Sequence, residues 1–261
     1  MPHRRARTTG PVLTVAANLA VGLVAGLVAG LVAALGAAAP ASSAAADPLF
    51  QAPAVAQCFD MSADELAGAS YAEAAVDCAG PHTSTTIAVA LLPDGLAYDS
   101  RGLERFALET CFPAQRRVLG TSTSRMRLSA FNVGWFVPTP EQQATGARWV
   151  RCDLVLGAPT APQQLPARLR LGKPPYDTAV SRCLAGRDFH VTVCSSRHTH
   201  RATAALTVKG ARFPSEKAWQ RLGTQRCRGA VRSRSYRFGW PSKASWKAGD
   251  HTLICYTRTR H

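Results

Sequence analysis

Eight cysteines fall into two sets of four with matching spacing, and this pattern limits what the chain can become more than any other feature. CAGPH (Cys78 to His82) and CSSRH (Cys194 to His198) share one Cys-x3-His form. Each histidine is followed 29 residues later by another cysteine, Cys111 or Cys227. Downstream, FNVGW (Phe131 to Trp135) pairs with YRFGW (Tyr236 to Trp240). Gly146 precedes Cys152 by six residues, and Gly249 precedes Cys255 by six. One earlier cysteine opens each set, Cys58 and Cys183. So many coincident positions point to a duplicated unit, with unequal loops between the third and fourth cysteines.

The N-terminus places this unit outside the cytoplasm. MPHRRAR is basic, residues 11 to 39 are almost wholly Ala, Val, Leu and Gly, and Ala44 and Ala46 fit a small-residue cleavage site before Asp47. The apolar run is long for a signal and long enough to span a bilayer, which takes about 20 residues. Gly22, Gly26 and Gly30 would let two such helices approach closely. Residues 1–46 therefore read as a signal peptide or an N-terminal membrane anchor, and under either reading the body is extracytoplasmic, secreted or anchored to the cell membrane. An even number of cysteines in an oxidising compartment is read first as disulfides.

The hydrophobic periods give the architecture of a copy. TSTTIAVALLP after His82 alternates and is rich in β-branched residues, which predicts a strand. In GLERFALETC, Leu103, Phe106, Ala107 and Cys111 share one helical face. The second copy offers PSEKAWQRLGTQRC, with Pro214 suited to a first helical turn and Ala218, Trp219 and Leu222 as its apolar face. Strands near RLSAFNVGW and ARWVRCDLVL close the first copy, and RSYRFGW and HTLICYT close the second. The predicted class is α+β: two tandem disulfide-stabilised repeats, each with one helix packed on a small, mostly antiparallel sheet. The boundaries are 47–158 for the first repeat, 159–176 for a proline-rich linker, and 177–261 for the second. Proline at that density makes a semi-rigid spacer.

These residues resemble the septum formation domain family of actinobacterial envelope proteins. The resemblance rests on the Cys-x3-His element, a helix-borne cysteine after a strand, and a closing Trp-x-x-Gly-x-x-x-x-x-Cys. The second copy keeps that close as WKAGDHTLIC (Trp246 to Cys255); the first has Gln143 in place of the tryptophan, but retains Gly146 and Cys152. CAGPH is nearer than CSSRH to the family's Cys-x-x-Pro-His form. The resemblance implies two tandem septum-formation-like domains, exported or membrane-anchored, without a defined enzymatic activity and with a name that points to cell division.

Within a copy the simplest pairing joins the first cysteine to the second and the third to the fourth: Cys58–Cys78, Cys111–Cys152, Cys183–Cys194 and Cys227–Cys255. Four cysteines allow three pairings, and spacing does not choose among them. A metal site needs about four ligands. The second copy has His190, His198, His200 and His251, but the first has only His82, so no shared histidine site exists and neither metal nor cofactor is expected. His82 and His198 read as turn-capping residues that could also contact a ligand. No G-x-S-x-G or S-x-x-K is present, and Glu104 and Glu109 read as helix-surface charges. The expectation is no catalysis; the rival is an envelope enzyme using His82 or His198 as general base.

Charge supplies the remaining signal. Residues 47–165 hold 8 Lys/Arg and 12 Asp/Glu, whereas residues 166–261 hold 20 Lys/Arg and 4 Asp/Glu. The acidic half either meets a different partner or simply supports its neighbour. RCRGAVRSRSYRFGW concentrates Arg226, Arg228, Arg232, Arg234 and Arg237 among Tyr236, Phe238 and Trp240. Guanidinium forks suit phosphate and carboxylate. The expected function is a non-catalytic binding module of the cell envelope, associated with septum or wall. Its basic domain would bind an anionic cell-wall polymer or anionic lipid surface, with room for a protein partner. Export argues against a nucleic-acid role.

Overall fold

Each histidine turn leads into a long strand, and a sheet is built around that strand. The computed structural model describes residues 47–70, 73–231 and 233–259. Residues 1–46, predicted to be a signal or anchor segment, and Arg232 lie outside the described residues. In chain order the elements are β1 (Cys58–Phe59), α1 (Ala63–Ala67), β2 (Ser84–Leu91), α2 (Gly102–Leu119), α3 (Thr123–Met126), β3 (Phe131–Phe136), α4 (Pro140–Ala144), β4 (Trp149–Ala158) and β5 (Ala161–Gln163). They continue with β6 (Arg182–Ala185), β7 (His190–Val193), β8 (His200–Thr207), α5 (Glu216–Ala230), β9 (Tyr236–Gly239), α6 (Lys243–Lys247) and β10 (Thr252–Arg258). The content is α+β, with antiparallel strand pairing throughout. Among the described residues no helix is long and apolar enough to cross a membrane.

The first sheet has the order β1-β2-β4-β3, with β5 added to β4; the second has the order β7-β6-β8-β10-β9. In both, the strand after the histidine turn lies between the strand bearing the first cysteine and the strand bearing the last. The eight cysteines form four disulfides, Cys58–Cys78, Cys111–Cys152, Cys183–Cys194 and Cys227–Cys255. Of the three pairings open to each set, the structure has the first cysteine with the second and the third with the fourth.

One helix lies across each sheet. The helix α2 runs beyond Cys111, through Pro113, to Leu119, because Ala114 and Leu119 continue its buried face. Gly120, in the left-handed conformation, closes its last turn. In the second half, Ser215 caps α5 by accepting from the Ala218 amide, so Pro214 sits just outside the helix and not in its first turn. Trp219, Gly223 and Cys227 then form its buried stripe. A Cβ on Gly223 would sit 2.2 Å from the Phe238 ring, so only glycine lets this helix approach β9.

The two halves share apolar surface. Val180, Val191 and Val193 pack with the first half's core, together with Leu165, Leu169 and Leu171 from the proline-rich stretch. At this seam Arg127 binds Asp250 at 2.7 Å, and Arg182 donates to the Ser129 carbonyl and to Asn132. A second buried ionic group lies inside the first half. Arg151 donates to Asp153 at 2.7 Å and to Ser70 at 2.8 Å, between the Phe59 and Phe136 rings. Asp153 also accepts from Ser84 and Thr86.

Two stability outcomes follow. Replacing both Cys227 and Cys255 with alanine opens a 28-residue loop, and urea unfolding should register a loss of about 3 to 4 kcal/mol. Arg151→Met leaves Asp153 buried without its cation and should cost about 3 to 5 kcal/mol. The double change Arg151→Met with Asp153→Leu should cost less than that single one in the same assay.

Candidate functional site

The two histidine turns have the same geometry. His82 Nδ1 is 2.8 Å from the Gly80 carbonyl, and His198 Nδ1 is 2.8 Å from the Ser196 carbonyl. Each ring nitrogen therefore donates to a backbone oxygen two residues earlier, at the point where the chain enters β2 or β8. Both rings are buried. Among the described residues one group brings three metal-type ligand atoms together, Cys183, Cys194 and His198, all within 4.8 Å of one another. Its two sulfurs are bonded to each other, so they are not thiolates and the group does not fit a metal.

A groove of about 870 Å³ with cationic walls lies in the second half. It follows β9, with the β6–β7 hairpin on one side and α5 on the other. Of the arginines predicted to matter, Arg237 lines it, as does Trp240. Three groups that sequence reasoning missed join them: Arg187 and Phe189 from the hairpin turn, and Arg258 from the end of β10. Tyr236, Phe238 and Trp240 lean toward α5, where Trp240 stacks on Trp219 at 5.8 Å. The other predicted arginines lie elsewhere. Arg226 donates to the Thr207 carbonyl. Arg228 occupies the last turn of α5, where a cation complements the helix dipole. Arg234 is exposed in the bend before β9. His82 and His198 do not line the groove.

The groove carries a positive field. The Arg237 guanidinium sits 3.5 Å from the centre of the Phe189 ring, a cation–π contact. Arg187, Arg237 and Arg258 have no carboxylate partner among the described residues, whereas the nearby Asp188 is taken up by His190 at 3.0 Å. His200 forms the floor. It is 7% exposed, lies edge-on to Phe189 at 5.7 Å, and shares a hydrogen bond with the Thr199 hydroxyl. Burial holds its imidazole below the ordinary range, and the charges of Arg237 and Arg258 press it lower. Only alternation along β8 and β10 could have signalled His200 and Arg258. Nothing in GRDF marks Arg187 as a groove residue.

Four disulfides on two antiparallel sheets define a cross-linked α+β protein suited to an oxidising compartment outside the cytoplasm. The septum formation family model matches residues 97–255, well over half of the 261-residue chain. The chain belongs to that family. The match is a single one that runs from the approach to α2 into β10. No curated protein and no solved structure matches the chain.

The lowered His200 basicity has a defined effect on stability. The unfolded chain binds a proton on this ring at a higher pH than the folded chain does. Stability is therefore intact above the ordinary imidazole value of about 6.5 and falls as pH drops below it. Thermal melts of wild type and His200→Gln across that window should show a shallower acid-side decline for the variant.

Proposed function

We propose that this protein is a non-catalytic, exported module of the cell envelope, associated with septum or wall, that binds anionic envelope polymers through its basic second half. The observation that carries the reading is the group of three guanidiniums, Arg187, Arg237 and Arg258, around one groove without a carboxylate among the described residues. Such forks match phosphate and carboxylate oxygens. Burial is the first cause of the depressed His200, and the charges of Arg237 and Arg258 lower it further, so both cations act on the groove floor. Wall phosphate polymers and anionic lipid headgroups present the same chemistry. The acidic first half, net −4 over residues 47–165, would stay clear of that surface or meet another partner.

The same reading takes the chain as two tandem copies of one unit, 47–158 and 177–261, joined by 159–176 and exported or anchored by residues 1–46. A shared order of four strands (β1-β2-β4-β3 and β6-β8-β10-β9), equal disulfide pairing and equal histidine turns support the duplication, although β5 and β7 have no counterparts in the other sheet. Family membership supports the envelope and division association. The burial of His82 and His198, each bonded to a carbonyl, favours a structural role for them over general-base chemistry.

The test is retention of the full chain on isolated wall polymer and on anionic vesicles. Binding should weaken as salt rises. Replacing Arg187, Arg237 and Arg258 with serine should reduce it roughly 100-fold, taking about 1 kcal/mol for each cation. The ring of His200, followed by NMR, should titrate at higher pH once the anion is bound. Retention unchanged in the triple variant would overturn the reading. Polymer without vesicles, or the reverse, identifies the source of the anion.

A further inference from the structure

We propose that the outer edge of β9 is a docking site for an extended acidic peptide, which adds to the second sheet as a further strand. This goes beyond the polymer reading: it shares Arg237 and Arg258 with that groove but adds backbone hydrogen bonding along one strand, which a polyanion does not need.

The strand β9 ends the sheet order and pairs only with β10. The Arg258 amide donates to the Ser235 carbonyl at 3.2 Å, which sets the phase of the ladder. Ser235, Arg237 and Gly239 turn their backbone groups toward β10, so Tyr236 and Phe238 turn theirs outward. Among the described residues no backbone group pairs with those outward donors and acceptors.

Exposed edges are usually blunted by a charge that blocks a newcomer. Here the candidate blocker is Arg237, but its guanidinium lies over the Phe189 ring, on the face of the sheet. Among the described residues no strand pairs with this rim, which lies beside a groove of about 870 Å³. The first sheet also has an edge strand, β3, but its sequence FNVGWF carries no cation. Charge therefore singles out β9.

The pleat sets the sequence of the occupant. A strand would lie about 4.8 Å from β9, with side chains alternating between faces. In antiparallel addition, residues opposite Tyr236 and Phe238 project toward α5 and the rims of those rings. The residues between them project toward Arg237 and Arg258. The matching segment thus alternates apolar and acidic residues, and its main chain supplies the partners that Tyr236 and Phe238 lack.

The probe is a blocked octapeptide of alternating glutamate and valine, titrated into the full chain. Binding should be salt-sensitive and should slow hydrogen exchange at the Tyr236 and Phe238 amides. N-methylation of the valine amides, which face β9, should weaken binding at least about ten-fold by removing these bonds. N-methylation of the glutamate amides should leave it intact. Arg237→Glu should weaken the glutamate peptide and improve an alternating lysine–valine peptide. Equal binding of the two methylated peptides would overturn the proposal. So would absence of binding, or displacement by polyphosphate with no exchange protection at Tyr236 and Phe238, which would mean a polyanion site alone.

Discussion

The bond between helix and inner strand is what the rest of each half is arranged around. Cys111 and Cys152 are completely buried, and so are Cys227 and Cys255. Each pair joins a helix to an inner strand of its sheet, so the cross-link lies within the apolar core. The helix thereby holds a fixed line across the strands. In the second half that line brings Gly223 against Phe238 and Trp219 against Trp240, and so positions β9 from behind. The other disulfide, Cys183–Cys194, ties β6 to the far end of its hairpin and holds the turn that carries Arg187 and Phe189. The groove is the space between these two cross-linked parts.

Charge is handled in two opposite ways. In the first half Arg151 is fully buried and saturated by Asp153, Ser70 and two aromatic faces. In the second half the groove arginines are exposed and have no acidic partner among the described residues. The first arrangement uses a guanidinium as a structural centre. The second leaves its guanidiniums at the wall of a groove.

How far the sequence reveals this depends on distance along the chain. Strands and helices were legible because the apolar period is local: TSTTIAVALLP alternates within itself, and GLERFALETC repeats on one face. The repeated cysteine spacing survived because it recurs in order. The helix end beyond Cys111 was hidden, since Pro113 is a local stop signal that burial of Ala114 and Leu119 overrides. The groove was only partly legible. Arg237 and Trp240 belong to a visible run of arginines and aromatics. Arg187, His200 and Arg258 come from three separate segments and meet only through strand order. The Arg151–Asp153 group was missed for a different reason: two opposite charges two residues apart on a strand look like an exposed pair unless both faces of the strand are known to be covered.

The valines at the seam carry a further implication. Val180, Val191 and Val193 complete the first half's core although they belong to the second, and Arg127 reaches across to Asp250. Whatever the history of the two cysteine sets, neither set encloses its own oil. A fragment ending before Val180 would present an apolar face to water, and a fragment beginning there would expose the matching one. The unit that must fold together, with all four disulfides in place, is therefore the whole pair of sheets at once.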